Sequence, residues 1–336
     1  SSGQRLSDSE LLVKGTLSVL GTAEASVVLS SSNAVAAAGD WGGIYLEQNA
    51  DLTLSYAHLS FSGYGVSSNS GIKDVEITHS RLESSGGGIY LNQGYDQIAM
   101  RVITDNVISV GTSGYALDVQ STQNKQQSRP NLSRNTITNP QGSGVRSMYS
   151  TQGITIDANT ILVKDTGLDV YYAGGAVAVT SNVFENIKGS TVCCKGNGIN
   201  VNNSSATGGP DDVITSITLQ SNTIKQFNAG LYFDGSDRTI LSSVSSNTIT
   251  DSEDRGMYVT RVQGTSITGN TVTGSRNGGV YLQSAVPSVF KDNVITGNGT
   301  TSNGPAAINQ PGLLISHSNA ELSESFLIED NDLSGN

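Results

Sequence analysis

Only two cysteines occur in the 336-residue chain, and they are adjacent, Cys193 and Cys194. Neighbours in an extended segment point to opposite faces, so no disulfide framework is available. One buried and one exposed thiol is the expectation, with a vicinal disulfide or a redox role as the alternative. Proline is held to 6 residues, which excludes a proline-rich disordered linker. Cations are scarce: 18 Lys and Arg stand against 29 Asp and Glu, for a net charge of −11. Nucleic acid and anionic membrane surfaces are thereby disfavoured as partners, since both demand clustered Lys and Arg. No apolar run reaches the roughly 18 residues of a transmembrane helix, so membrane insertion is not expected. No secretory leader and no amphipathic helical stretch of useful length is present either.

What is there is repetition. Asn-x-apolar recurs at Asn106, Asn135, Asn159, Asn182, Asn222, Asn247, Asn270, Asn293 and Asn331, as in SSNTIT (245–250) and DNVIT (292–296). The usual interval is about 23–25 residues, a period that signals stacked structural units. Ser80-Arg81-Leu82 and Ala57-His58-Leu59 keep the same beat towards the N-terminus. Within each period lies a second pattern, Gly-apolar-x-apolar. It reads GIYL at 43–46 and 88–91, GLDV at 167–170, GINV at 198–201, GLYF at 230–233, GMYV at 256–259 and GVYL at 279–282. The alternation has a period of two residues, which means strand. A further alternating run precedes the Asn and another starts at it, giving three short strands per period.

Some two dozen residues cannot close a core alone, but they can when stacked on like neighbours. Every backbone group then pairs with the coil above and below at about 4.8 Å. Apolar side chains point inward as aliphatic columns. The Asn is expected to serve a tight turn, where it tolerates left-handed backbone, and to hydrogen-bond from coil to coil along the axis. N-glycosylation does not explain it, because NTI and NVI are not acceptor sequons.

With these repeats the chain resembles the right-handed parallel β-helix superfamily, with its pectate-lyase-like coils and asparagine ladder, over roughly residues 40–336. The same repeats occur in carbohydrate-binding proteins and sugar hydrolases. The opening LVKGTLSVLGTAEASVVLSS, followed by GDWGGIYL, resembles the first coils of large bacterial surface β-helix proteins. The resemblance implies an all-β fold, a single-stranded solenoid of about eleven coils with three short strands per coil. Residues 1–40 are expected as an N-terminal cap and first irregular coil, and 41–336 as the β-helix. The opening SSGQRL and the ending DNDLSGN suggest cuts in a longer polypeptide, with flanking domains.

Architecture does not fix activity, since the superfamily includes lyases, hydrolases, epimerases, phage spikes and adhesins. A polygalacturonase-like enzyme would carry Asn-Thr-Asp, Asp-Asp and Gly-His-Gly segments on successive coils. Here Asp-Asp occurs once, at Asp211-Asp212 in a loop-like stretch, and Gly-His-Gly is absent. An epimerase-like Asp-Pro-His and a pectate-lyase-like Arg-x-Pro-x-x-Arg are absent too, as are HExxH, a Walker loop and Gly-x-Ser-x-Gly. His58, His79 and His317 lie far apart in the chain, with His58 and His79 read as solvent-facing residues at the middle position of adjacent repeats. No metal motif is found, calcium included, and no cofactor is expected.

The variable position of Gly-apolar-x-apolar faces outward if its neighbours face in. Coil by coil it holds Tyr45, Ser67, Tyr90, Asp118, Arg146, Asp169, Asn200, Tyr232, Tyr258, Tyr281 and Leu314. One reading is a β-sheet surface with an Asp–Arg–Asp salt-bridge ladder. The other is a glycan groove. Tyr45, Tyr90, Asn200, Tyr232, Tyr258 and Tyr281, with Asp234 extending the face, would bind sugar rings and hydroxyls. Asp118, Arg146 and Asp169 would be the catalytic candidates. The two Asp are expected roughly 10 Å apart from strand spacing, slightly beyond the ~6.5–9.5 Å of inverting glycosidases. Long insertions at 121–131 and 202–212 bracket these coils, and a third spans 297–312. Trp41, the single tryptophan, is expected to pack at an early coil.

The favoured reading is an extracellular or cell-surface β-helix module of bacterial style, binding a polysaccharide or cell-surface glycan or serving as an adhesive stalk. The alternative is a polysaccharide lyase or glycoside hydrolase working in the same groove.

Overall fold

Each coil lays down one strand on each of three faces, and each strand pairs in parallel with its counterpart in the next coil. The computed structural model describes residues 10–68, 71–93, 99–121, 128–150, 152–187, 196–202, 214–239, 241–299, 311–316 and 327–336. The first face is built of the Gly-apolar-x-apolar strands, among them Gly43–Leu46, Tyr115–Ser121, Ser143–Met148, Leu168–Tyr171 and Ile199–Asn202. The second holds the runs before the Asn, such as Asp51–Ser55, Ile154–Asp157 and Ile214–Gln220. The third holds the runs after it, such as Ala57–Ser60, Thr136–Asn139 and Thr223–Lys225. The third face is an 11-stranded sheet, and the first two faces join as a 23-stranded sheet. They join partly because the 14-residue strand Arg255–Thr268 runs round the corner between them. All described elements are strands.

The first coil is already regular. Glu10–Val13, Thr16–Leu20 and Val27–Leu29 stack in register on the strands beginning at Gly43, Asp51 and Ala57. Trp41 is half-buried against the second coil, where its indole N–H donates to the Ser60 carbonyl at 2.8 Å.

The core consists of vertical columns, because residues one period apart become neighbours. On the third face the apolar residue of Asn-x-apolar stacks as Leu82, Ile108, Ile137, Ile161, Phe184, Ile224, Ile249, Val272 and Ile295. Each of these is 0% exposed. On the first face Ile44, Val66, Ile89, Leu117, Val145, Leu168, Ile199, Leu231 and Met257 form the matching column. Burying each such side chain contributes about 1.5–3 kcal/mol. The apolar pattern breaks at Arg101, which occupies the column of Val75 yet is only 1% exposed. Its guanidinium donates to the carbonyls of Met100, Ile72 and Lys73. Burial pulls its pKa down to about 10, so it stays charged at neutral pH.

The Asn residues run as an internal ladder. The Asn135 side-chain N–H group donates to Asn159 Oδ1 at 3.0 Å and to the Ile103 carbonyl at 2.7 Å. The Asn135 backbone N–H donates to the same Oδ1 at 2.9 Å. The arrangement recurs through Asn182, Asn222, Asn247, Asn270 and Asn293 to Asn331. The left-handed backbone expected of the Asn sits one residue earlier. Asp105, Arg134, Ala158, Ser181, Ser221, Ser246 and Asp292 have φ of 54–61°. That residue makes the corner, and the Asn, pointing inward, satisfies the backbone groups that the corner exposes.

Candidate functional site

The outward position of the first-face strand forms one continuous column. Pairing runs Tyr45–Ser67–Tyr90–Asp118–Arg146–Asp169–Asn200–Tyr232–Tyr258–Tyr281–Leu314 without a slip. Beside it, two residues further along each strand, Tyr171, Asn202, Asp234, Thr260 and Gln283 make a second column. The strand period of two puts both columns on the outer surface.

Of the expected Asp–Arg–Asp salt-bridge ladder, the Asp118–Arg146 pair forms, while Asp169 is held by neutral donors. Arg146 donates to both oxygens of Asp118, Nε to Oδ1 at 3.0 Å and Nη2 to Oδ2 at 2.6 Å. Gln120 adds a third donor to Asp118 at 2.8 Å. Asp169 is held instead by neutral groups: Tyr115 donates its hydroxyl to Oδ2, and the Asn200 amide donates to Oδ1 at 2.8 Å. Asp118 is 5% exposed, Asp169 4% and Asn200 8%. A planar guanidinium edge matches one carboxylate in this two-point way. Tyr115 then crosses the Arg146 guanidinium, whose central carbon lies 4.5 Å from its ring centroid.

These contacts set the proton affinities. Burial raises the pKa of Asp169 against the lowering effect of its hydrogen bonds to Tyr115 and Asn200. Burial and the Asp169 charge push the Tyr115 phenol well up, and they push Tyr171 up to about 12. For Arg146, burial works downward, but the hydrogen bonds and charge of Asp118 prevail and hold it above its ordinary value. Asp169 therefore binds its proton more tightly folded than unfolded. Its contribution to stability is fully present below the ordinary carboxylate value of 3.8 and is lost as pH rises through the raised folded value. The expected outcome is that wild type loses stability relative to Asp169→Asn as pH climbs from 3.8 through the raised folded value, with no further loss above it. Denaturant midpoints of both proteins across this range check it; parallel curves would contradict the buried-carboxylate assignment.

A cleft of about 390 Å³ opens at the N-terminal side of this network, lined by Tyr64, Tyr90, Tyr115, Asp118 and Arg146 among others. On the far side, Asn200 donates to the Tyr171 hydroxyl at 2.7 Å, while its own Oδ1 is buried without a partner. Further along the axis the tyrosines pack on one another. Tyr258 and Tyr281 are stacked at 5.1 Å, Tyr232 meets Tyr258 edge-on at 5.1 Å, and Arg255 lies 4.5 Å from the Tyr281 ring centre. Coil spacing of about 4.8 Å forces this ring-on-ring arrangement. The ring faces spent on these contacts are closed to any ligand, and Tyr258 donates its hydroxyl to Gln283. Asp234 pairs with both Nε and Nη2 of Arg261.

Tyr64, Tyr115 and Arg255 were missed in the sequence. All three sit three residues before the outward position, just ahead of the glycine or alanine that starts the strand. That offset is a usable signal: Tyr115 pairs with Ser143, and Arg255 with Gly278, on one rim of the face. The histidines part ways: His58 pairs with Arg81, whereas His79 occupies a left-handed corner (φ 49°) and stacks on Tyr56 at 4.9 Å. Cys193, Cys194, His317, Asp211, Asp212 and most of the three insertions lie outside the described residues.

The chain matches the family "Right handed beta helix region" over residues 21–184 and 68–216. It matches "Periplasmic copper-binding protein (NosD)" over residues 176–336. No curated protein sequence matches it. Among solved structures it is similar to the Dettilon tailspike protein (gp208), at 13% identity and a TM-score of 0.39. That alignment covers 76% of this chain and 48% of the tailspike, so the chain spans about half the tailspike's length. It is also similar to a mannuronic acid specific polysaccharide family 6 lyase from human gut microbiota. There identity is 14%, the TM-score 0.38, and coverage 96% of this chain and 85% of that one. As for the copper in the second family name, the described residues within 176–336 include no histidine or cysteine. Nor do three or more His, Cys, Asp and Glu side chains gather anywhere among the described residues. Among the described residues the donor set does not fit copper, which takes imidazole and sulfur ligands. Among the described residues no helix is long and apolar enough to cross a membrane.

Proposed function

The chain belongs to the right-handed β-helix family, and we propose that its first face is a glycan-binding groove of an extracytoplasmic protein. The observation that carries this reading is the cleft of about 390 Å³, walled by Tyr64, Tyr90 and Tyr115 and floored by the Asp118–Arg146 pair. Its size falls within the roughly 300–1,000 Å³ of small-molecule sites. Aromatic walls take the apolar faces of sugar rings, and buried, oriented polar groups take the hydroxyls. The word "periplasmic" in the name of one matched family supports a setting outside the cytoplasm, at the cell surface or beyond it, where an adhesive or stalk role would use the same groove.

Binding is favoured over turnover by the state of Asp118, which is engaged by three N–H donors, two of them from the Arg146 guanidinium. The second reading, a polysaccharide lyase or glycoside hydrolase, rests on Asp169, a buried carboxyl of raised proton affinity beside a tyrosine hydroxyl. Such a group suits a general acid. Retention of the chain on immobilised polysaccharides, scored together with new reducing or unsaturated ends, tests both. Binding without cleavage is expected, with Tyr90→Ala and Tyr115→Ala each weakening it at least about tenfold. Absence of retention on every polysaccharide would sink the groove, and cleavage abolished by Asp169→Asn would replace the binding module with an enzyme.

A further inference from the structure

We infer that the groove selects neutral, hydroxyl-rich polysaccharides and rejects chains bearing carboxylates or sulfates, an inference that rests on the groove reading above. The first face and its rims carry three arginines whose side chains are described, Arg146, Arg255 and Arg261, and each already has a carboxylate partner. Arg146 is clamped on Asp118 at 2.6–3.0 Å. Arg261 is clamped in the same two-point fashion on Asp234, which is 3% exposed. Arg255 lies 4.0 Å from Asp254 and is also spread over the Tyr258 and Tyr281 rings.

Three arginines therefore face four aspartates, because Asp169 adds a carboxylate that touches no cation. Its donors are a phenol and an amide. An acidic polysaccharide would bring negative charge to a face whose described arginines, Arg146, Arg255 and Arg261, are each already beside a carboxylate. It would also meet the field of a chain whose net charge is −11. Taking Arg146 from Asp118 to serve such a ligand would strand a carboxylate that is only 5% exposed, and a buried charge stripped of its partner is strongly unfavourable. A neutral sugar has the opposite fit. It brings no charge to be compensated, and its apolar ring faces meet the walls formed by Tyr64 and Tyr90. The rule is that of charge complementarity, in which juxtaposed like charges cost more than any contact they add.

Matched backbones that differ only in charge isolate this property: polygalacturonate against its full methyl ester, carboxymethylcellulose against hydroxyethylcellulose, and dextran sulfate against dextran. Affinity electrophoresis or biolayer interferometry of the full chain is expected to give at least about tenfold tighter binding to the neutral member of any pair that binds. That binding should be unchanged as salt rises from about 0.05 M to about 0.5 M, since no ion pair is formed with the ligand. Asp118→Asn and Asp234→Asn each release an arginine, and the second leaves one that is already 41% exposed. Either variant, once its circular dichroism matches wild type, should gain salt-sensitive affinity for the acidic member of a pair. Preference of the wild-type chain for the acidic member, lost on adding salt, would overturn the inference and leave the groove standing. No binding to any of the six polymers would overturn the groove reading and this inference with it. Failure of both variants to gain acidic binding would show that the aspartates do not set the selectivity.

Discussion

Asn159→Ala is expected to lower the unfolding free energy by about 3–5 kcal/mol, because it leaves several buried polar groups without partners at about 1–3 kcal/mol each. Asn159 is 2% exposed and sits mid-ladder. Its Oδ1 accepts from both the backbone N–H and the side-chain amide of Asn135. Its own amide donates to the Leu132 carbonyl at 2.8 Å and to Asn182 Oδ1 at 2.9 Å. Alanine removes all of these at once and offers nothing in return, and water does not reach the site. Thr160→Ala on the same coil is the control. That side chain lies on the partly exposed outer surface of the third face, and the change should fall within about 0.5 kcal/mol. Solenoids lose stability through neighbour interfaces, so hydrogen exchange should quicken first in the coils on either side of residue 159. A loss below about 1 kcal/mol, within the range of one ordinary hydrogen bond, would mean the ladder is decoration on a fold held by its aliphatic columns.

The second large effect concerns the glycine that opens each first-face strand. A Cβ built on Gly230 would lie 2.2 Å from Ile249 Cγ2 and 2.6 Å from the Gly256 carbonyl oxygen. The same collision recurs at Gly198, where the distances are 2.2 Å to Ile224 Cγ2 and 2.6 Å to the Gly230 oxygen. These glycines are needed for space rather than for backbone freedom: the first face leaves the third so tightly that the next coil and the core column fill the Cβ position. Gly230→Ala should therefore cost about 3 kcal/mol, the upper end of overpacking penalties. The opposing gain from a stiffer unfolded chain is only about 0.4–1 kcal/mol, so the clash decides the sign. Gly15, whose added Cβ would meet nothing within 4 Å, supplies the contrast, and Gly15→Ala should be neutral or slightly stabilising. Thermal or denaturant unfolding of the two variants separates the explanations, and equal effects would remove the steric one.

Both predictions concern the repeat, and the repeat was legible before any coordinates. Asn-x-apolar and Gly-apolar-x-apolar report the two corners and the inward columns, because every coil solves the same packing problem with the same residue types. The period also placed eleven residues from Tyr45 to Leu314 on one outward line, since a parallel stack in register leaves no freedom once the inward residues are known. Two local readings failed for want of geometry. Left-handed backbone was assigned to the Asn, whereas it belongs to the residue before it, as at Ala158 and Ser181. His79 was taken as equivalent to His58, whereas one lies on a corner and the other on a strand.

The site was legible in position but not in chemistry. A sequence places Asp118, Arg146 and Asp169 on consecutive coils; it does not say which carboxylate the arginine takes. That choice depends on side-chain reach and on Tyr115, which enters from another column to cap Asp169 and stack on Arg146. Nor does the sequence say that Tyr258 and Tyr281 spend a ring face on each other.

The sequence by itself determined the winding, the columns and the line of outward residues, because these follow from local alternation repeated at a constant interval. Only the tertiary structure decided the pairing of charges, the cleft beneath Tyr64, Tyr90 and Tyr115, and the neutral donors that hold Asp169. Those depend on distances of a few ångströms between side chains one or two coils apart, which no periodicity encodes.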